Sequence, residues 1–391
     1  MRRITLKPGR DAPVRGGHPW IFSGAIARGL DGCEPGEPVR VVDHEGHFAA
    51  VGYANPKTPI AVRVCALDDV ALDAALVGRR LDEALALRRA VLPEDLTAHR
   101  VLNAEGDRLP GVVVDRYGDV VVVQLLTAGA ALLRDAVVAA LVERLAPTTV
   151  YERSEGAVRT EEGVPGSRGV LHGAEPPVPL PIVEHGAQLL VDVVHGQKTG
   201  FFLDQRENRQ RVRALAAGRR VLNCFAYTGA FAVAAGLGGA RHVTSVDTSR
   251  PALELGEQAW ERNGLAADAA TWIEADVFDW LREGEREARW DLAIVDPPPF
   301  ARRRRDQASA IRGYRDVNLQ AFRRLAPGGW MLTCSCSQHL DRAAFREVVM
   351  HAAAAAGRAA QVVAELGHAV DHPTALAHVE GEYLKALLLR A

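Results

Sequence analysis

A chain of 391 residues is longer than one hydrophobic core usually organises, so roughly two or three domains are expected. Its 48% apolar and 25% charged residues are ordinary globular proportions, which exclude a disordered or fibrous chain. The net charge of -2 argues against a uniformly basic nucleic-acid binder, but it averages over two basic segments. Residues 1–30 carry six Lys or Arg against Asp11 alone, and residues 301–325 carry eight Arg against Asp306 and Asp316. Such segments suit phosphate neutralisation and equally suit a solvated surface, so charge alone does not decide. No apolar run reaches the roughly 20 residues of a membrane helix. Met1-Arg2-Arg3-Ile4 is not followed by the apolar stretch of a signal peptide, so a cytoplasmic protein with no membrane partner is expected. Cys33, Cys65, Cys224, Cys334 and Cys336 are odd in number and lack Cys-x-x-Cys spacing. Reduced thiols are expected, with neither a disulfide framework nor a metal site.

In chain order, residues 1–72 alternate short β-rich runs with Gly and Pro: Trp20-Ile21-Phe22, Pro38 to Val42, Phe48 to Tyr53 and Ala61 to Val64. The pattern predicts a small β-barrel. Apolar residues at helical spacing predict a helix from Leu72 to Val91. Val112-Val113-Val114 and Val120 to Val123 flank a turn at Arg116-Tyr117-Gly118-Asp119, a hairpin that opens a central α+β region over residues 73–180. Pro176, Pro177, Pro179 and Pro181 mark Gly173 to Pro181 as a linker, so a third domain is expected over 181–391.

Beyond the linker, strand candidates alternate with helices: Arg220 to Phe225, His242 to Asp247, Thr271 to Asp276, Asp291 to Asp296 and Trp330 to Ser335. This predicts a doubly wound parallel sheet. A helix from Asp341 to Ala356 is followed by strand candidates Ala360 to Leu366 and Tyr383 to Leu389, expected as an antiparallel closing pair because only a loop separates them.

Open α/β sheets bind ligands beyond the carboxyl ends of their strands, at a topological switch point. Here the first strand ends in Asn223-Cys224-Phe225-Ala226-Tyr227-Thr228-Gly229-Ala230, and the next three end in Asp247, Asp276 and Asp296. Gly229 allows close backbone approach, and Asp247 stands where an acid would hold ribose hydroxyls. A dinucleotide enzyme would need Gly-x-Gly-x-x-Gly to seat a pyrophosphate, and this turn has Gly229 alone. S-adenosylmethionine, with a ribose and adenine but no phosphate, fits better. Any one of these Asp residues could be a helix cap, but their recurrence at successive strand ends favours a ligand site.

Asp296-Pro297-Pro298-Pro299-Phe300 is a rigid turn that can hold a planar base, the carboxylate bonding a ring nitrogen or amino group and the ring stacking. On the fifth strand, Thr333-Cys334-Ser335-Cys336-Ser337 puts both thiols on one face with Cys336 nearer the carboxyl end. Cys334 reads as a buried core residue and Cys336 as a nucleophile. Carbon 5 of a pyrimidine is a poor nucleophile until a thiolate adds at carbon 6, a problem that a cysteine here would solve.

With these residues in place, the chain resembles the bacterial large-subunit ribosomal RNA cytosine-5 methyltransferases that carry an N-terminal PUA domain, over nearly its whole length. Gly16-Gly17-His18-Pro19-Trp20-Ile21-Phe22 resembles the start of the PUA barrel, and Lys198 to Arg209 the segment that closes over cofactor and substrate. Pro373 and Glu382-Tyr383-Leu384-Lys385 also fit, and the family's Ser-Cys-Ser nucleophile motif is Ser335-Cys336-Ser337. The fold implied is α/β: a class I, Rossmann-like methyltransferase domain behind an N-terminal β-barrel PUA domain and a central α+β domain.

The resemblance implies S-adenosyl-L-methionine as cofactor, held by Phe201, Asp204, Gln205, Arg206, Phe225, Tyr227, Thr228, Gly229, Asp247, Thr248, Asp276, Val277 and Asp296. It implies substrate contacts from Phe300, Pro297, Pro298, Lys198 and Arg206, with Cys336 and Asp296 catalytic. The fourth and fifth strands are neighbours in the family's sheet, which would bring these last two together. The implied partner is ribosomal RNA, naked or in a partly assembled large subunit, with a homodimer left open. Many RNA cytosine-5 methyltransferases have a second cysteine in the fourth-strand motif that aids product release; Pro297 to Phe300 stand there instead, so release falls to a base the sequence does not identify. Two other readings stay open on the residues alone. One is methylation of an exocyclic nitrogen of guanine or adenine, for which Asp296 and Phe300 suffice; the other is a non-catalytic RNA-binding assembly factor.

Overall fold

The computed structural model describes every residue except 285–286, 301–305 and 339. Arg302 to Arg305 of the second basic segment therefore lie outside the described residues. The chain forms two compact units, one of Met1–Leu180, Val193–Phe201 and Val370–Gly381, the other of Pro181–Asp192, Phe202–Ala369 and Glu382–Ala391. Two short stretches beyond residue 181 thus cluster with the N-terminal half.

The first unit opens with β1 (Arg2–Leu6), α1 (Ala12–Arg15), β2 (Trp20–Phe22), β3 (Ile26–Arg28), β4 (Glu37–Val42), β5 (Phe48–Ala54) and β6 (Ile60–Ala66). They make a six-stranded sheet in the order β2-β6-β5-β4-β1-β3. Alternation along the strands turns Ile4, Leu6, Val39, Val41 and Val62 into one apolar cluster. Its basic segment is partly neutralised within the unit: Arg2 pairs with Glu37 at 3.0 Å, and Arg15 with Asp11 at 2.8 Å and Asp43 at 3.0 Å.

Next come α2 (Ala74–Val91), β7 (Ala98–Asn103), β8 (Val112–Tyr117), β9 (Val120–Leu125), α3 (Ala128–Leu132), α4 (Arg134–Leu145), β10 (Thr149–Ser154), α5 (Ala157–Glu161) and β11 (Ser167–Gly173). A five-stranded sheet runs β11-β10-β9-β8-β7, and α2 and α4 bury Val77, Leu81 and Leu141 with its valines. The Asp73 side chain caps α2 by accepting from the amides of Ala75 and Leu76. The hairpin is tighter than its sequence suggests, since Tyr117 pairs directly with Val120 and only Gly118 and Asp119 turn the chain.

The second unit begins with the two-stranded β12 (Leu180–Glu184) and β13 (Ala187–Val191), then α6 (Arg206–Leu215). Its main elements are β14 (Arg220–Cys224), α7 (Ala230–Leu237), β15 (His242–Asp247), α8 (Arg250–Arg262), β16 (Ala270–Glu274), α9 (Val277–Glu283), β17 (Trp290–Val295), α10 (Gln307–Arg324), β18 (Leu325–Ser335), α11 (Arg342–Ala355), β19 (Gln361–Leu366) and β20 (Lys385–Arg390). They build a seven-stranded sheet, β16-β15-β14-β17-β18-β20-β19. β14 to β18 are parallel, and β20 pairs antiparallel with both β18 and β19, as expected of a closing pair. Apolar residues cover both faces: Leu222, Ala293 and Met331 pack with α10 and α11, while Val221, Leu292 and Leu332 pack with α6 and α7. Strand order reverses between β14 and β17, so their carboxyl ends form the switch point.

Candidate active site

The loop leaving β14 is held in an uncommon backbone. Phe225, Tyr227 and Gly229 have φ of 59°, 48° and 68°, and for the two aromatic residues such conformations cost about 1–3 kcal/mol each. Hydrogen bonds offset that cost: the Ala226 amide donates to Val246 O at 3.1 Å and the Tyr227 amide to Asp247 Oδ2 at 2.8 Å. Asp247 Oδ1 accepts from the Ser249 amide at 2.9 Å, so this half-buried carboxylate ties the β14 loop to the β15 loop. Thr248 beside it is exposed. Gly229 has a packing reason as well as a conformational one, because a Cβ there would meet the Trp272 ring at 2.7 Å and Gly256 Cα at 3.1 Å.

Whether the loop suits a ligand is tested by Thr228. Its hydroxyl oxygen is buried and has no hydrogen-bond partner among the described residues, a state that costs about 1–3 kcal/mol unless a bound polar group satisfies it. The β14 loop therefore fits a cofactor with hydrogen-bonding groups. At the end of β16, Asp276 caps α9, its Oδ1 accepting from the Phe278 amide at 2.8 Å and the Asp279 amide at 3.1 Å. Both bonds fall on one oxygen of an exposed carboxylate, and Val277 behind it is buried.

At the switch point, Asp296 is half-buried, Pro297 buried and Pro298 exposed. Phe300 packs on Tyr314 at 4.6 Å and on Phe278 at 5.7 Å between ring centroids, and Phe278 meets Phe225 at 6.2 Å. One aromatic row thus joins the β14 loop, the α9 start and the proline turn. Part of the Phe300 ring is engaged with protein.

The two thiols differ as their positions suggest. Cys334 is fully buried, and burial first, then the Asp296 carboxylate, push its thiol well above the usual range. Cys336 alone of the five cysteines is not buried. Its Sγ donates to the Pro297 carbonyl at 3.9 Å, which places it against the turn that begins at Asp296.

The Lys198 to Arg209 segment divides between the units. In the first, Lys198 is exposed and Phe201 buried, and Thr199 is anchored by donating to Asp115 Oδ2 at 2.6 Å. Asp115 in turn receives both Arg100 Nε and Nη2, at 2.8 and 2.9 Å. In the second unit, Asp204 accepts from the Tyr383 hydroxyl at 2.7 Å, and the buried Gln205 accepts from Asn208 Nδ2 at 2.5 Å. Arg206 is wholly buried, 3.9 Å from Glu184, which also takes two bonds from Arg209 at 2.6 and 2.5 Å. Its guanidinium is built into the unit's interior.

Sequence reading passed over the Tyr314 hydroxyl, 2.9 Å from Ser337 Oγ, and the function of Lys385, whose Nζ donates to Ser337 O at 2.6 Å. A lysine at the head of Ala386-Leu387-Leu388-Leu389 is the one signal available for the second.

A family model for S-adenosylmethionine-dependent methyltransferases matches residues 109–390, and one for PUA-like domains matches residues 4–66. The Ribosomal RNA large subunit methyltransferase I of Klebsiella pneumoniae (strain 342) is 42% identical over 99% of this chain and 98% of its own. The Citrobacter koseri protein of that name is 41% identical over 99% of each. Among solved structures, a candidate S-adenosylmethionine-dependent methyltransferase from Streptococcus mutans covers 100% of both chains with a TM-score of 0.86 at 24% identity. A candidate methyltransferase complexed with SAH, also covering 100% of both chains, gives a TM-score of 0.88 at 24% identity. At that identity these two show the shared fold. On the match over residues 109–390 and the 42% identity along the chain, this protein belongs to the S-adenosylmethionine-dependent methyltransferase family, together with the Ribosomal RNA large subunit methyltransferase I proteins.

Proposed function

We propose that this methyltransferase acts on large-subunit ribosomal RNA and methylates carbon 5 of a cytosine, with Cys336 as covalent nucleophile. The names of its relatives and the PUA-like module over residues 4–66 support the RNA substrate. The observation that carries the cysteine chemistry is the 3.9 Å contact of Cys336 Sγ with the Pro297 carbonyl, beside Asp296.

S-adenosylmethionine, when bound, supplies an electrophilic methyl group. Thr228, Asp247 and Asp276 would hold it, Thr228 through its buried hydroxyl and the two carboxylates through the lone pairs left beside their backbone bonds. The Cys336 thiolate adds to carbon 6 of the base, breaking the 5,6 double bond and moving its electrons to carbon 5, which becomes nucleophilic. Asp296 orients the ring by accepting from its amino group. After methylation the carbon-5 proton passes to solvent water, the electrons of that C–H bond re-form the 5,6 double bond, and the carbon 6–sulfur bond breaks to release the Cys336 thiolate.

The test is Cys336→Ala, assayed for methyl transfer to ribosomal RNA and, separately, for cofactor binding. Transfer is expected to fall at least about a thousandfold with cofactor binding retained. Transfer at the normal rate would remove the covalent mechanism and favour methylation of an exocyclic nitrogen through Asp296 and Phe300. Failure of the wild-type protein to bind the cofactor would favour an assembly factor.

A further inference from the structure

The reaction above leaves one buried charge beside the nucleophile without a role. Lys385 opens β20 and is 4% exposed. Across the antiparallel ladder it pairs with Ser335, one residue before Cys336, while its Nζ donates to the carbonyl of Ser337, one residue after, at 2.6 Å. A second bond at 2.8 Å goes to the carbonyl of Tyr383, whose hydroxyl bonds Asp204. Ser337 is also held through its Oγ by Tyr314. A single lysine therefore brackets the Cys336 turn and joins it to the segment just before β20, which carries Tyr383. Burying an ammonium is unfavourable, and two carbonyl dipoles compensate only part of its lost hydration.

We infer that Lys385 is a positioning residue for the nucleophile: its ammonium fixes the Ser335-Cys336-Ser337 turn and supplies the positive charge that favours the Cys336 thiolate. This rests on the cysteine chemistry proposed above. Burial lowers Lys385 to about 8, Cys336 and Asp341 act to raise it, and Arg342 acts to lower it. Other titratable groups also face the turn: Tyr314, raised to about 12 by burial first and by Cys336 next, the buried Cys334 thiol, and the Asp296 carboxylate, which acts on Cys334. Attraction between thiolate and ammonium is mutual, so the charge that holds a proton on Lys385 is itself favoured by that proton. The support is present below about pH 8 and is lost as Lys385 deprotonates above it.

The test reads Cys336 itself: its rate of alkylation by iodoacetamide from pH 5 to 10, followed by peptide mass spectrometry on the full-length protein, with cofactor binding as the check on folding. Lys385→Met is expected to move the alkylation midpoint up by about one pH unit and to slow the reaction at pH 7 about tenfold. Lys385→Arg, which keeps the charge, is expected to restore most of the loss. A wild-type profile in Lys385→Met would overturn the inference. Should Lys385→Met fail to bind the cofactor, Lys385→Arg and Lys385→Gln carry the comparison, and coincident profiles for those two would overturn it. Methyl transfer at the normal rate by Cys336→Ala would instead remove the covalent reaction while leaving the alkylation shift in place, so the two failures are distinct.

Discussion

Asp276 shows how a single carboxylate can serve the fold and a ligand together. Its Oδ1 caps α9, so substitution by Ala would confound loss of the cap with loss of a ligand contact. Asp276→Ser separates them, because serine is as good a cap as aspartate. Stability to urea is expected to change by less than about 0.5 kcal/mol. Cofactor affinity is expected to fall about tenfold, the effect of losing one hydrogen bond to a charged group. Calorimetric affinity equal to wild type would show that Asp276 only caps the helix. At this scale the sequence made the position of Asp296 and Cys336 legible, because each follows directly on the carboxyl end of a strand, β17 and β18. Lys385 was not legible in function, since its role comes from the register that sets it opposite Ser335. Nor could the sequence show that the Thr228 hydroxyl is buried without a partner among the described residues or that a Cβ at Gly229 would strike Trp272.

Among the elements, those that sequence reading found best are the ones buried on both faces. β17 reads as a near-continuous apolar run, while β15 carries His242, Thr244, Ser245 and Asp247 among its valines yet spans the residues expected from sequence, His242 to Asp247. The shorter β1, β3, β12 and β13 went unread because their partners are distant in sequence or their runs are brief. β18 begins at Leu325, before Ala326-Pro327-Gly328-Gly329, which by composition breaks a strand. In the first unit, β8 gives the Lys198 to Phe201 segment its anchor. Asp115 is fully buried, takes two bonds from Arg100, and accepts from Thr199, whose hydroxyl also lies 2.8 Å from the Tyr117 hydroxyl. Removing the carboxylate would leave Arg100 without that partner in a buried setting. Asp115→Ala is expected to destabilise by about 3–5 kcal/mol in equilibrium denaturation. A loss below about 1 kcal/mol would mean that the guanidinium finds water or another acceptor.

For the whole molecule, the overall charge of -2 conceals less positive surface than the sequence alone suggests, because Arg2 and Arg15 of the N-terminal segment are already paired with Glu37, Asp11 and Asp43. On the proposed RNA substrate, recognition depends on placement of charge more than on its sum. The α/β class, the parallel sheet and the antiparallel closing pair were legible from periodicity and connection length. The clustering of residues 193–201 and 370–381 with the N-terminal half was not, because only long-range contacts define it. The most direct test of cysteine-dependent methylation of ribosomal RNA is nucleoside mass spectrometry of large-subunit RNA from a strain lacking this gene, complemented with either the wild-type or the Cys336→Ala protein. One 5-methylcytidine is expected to disappear on deletion, return with the wild type and stay absent with Cys336→Ala. An unchanged modification map, or restoration by Cys336→Ala, would contradict it.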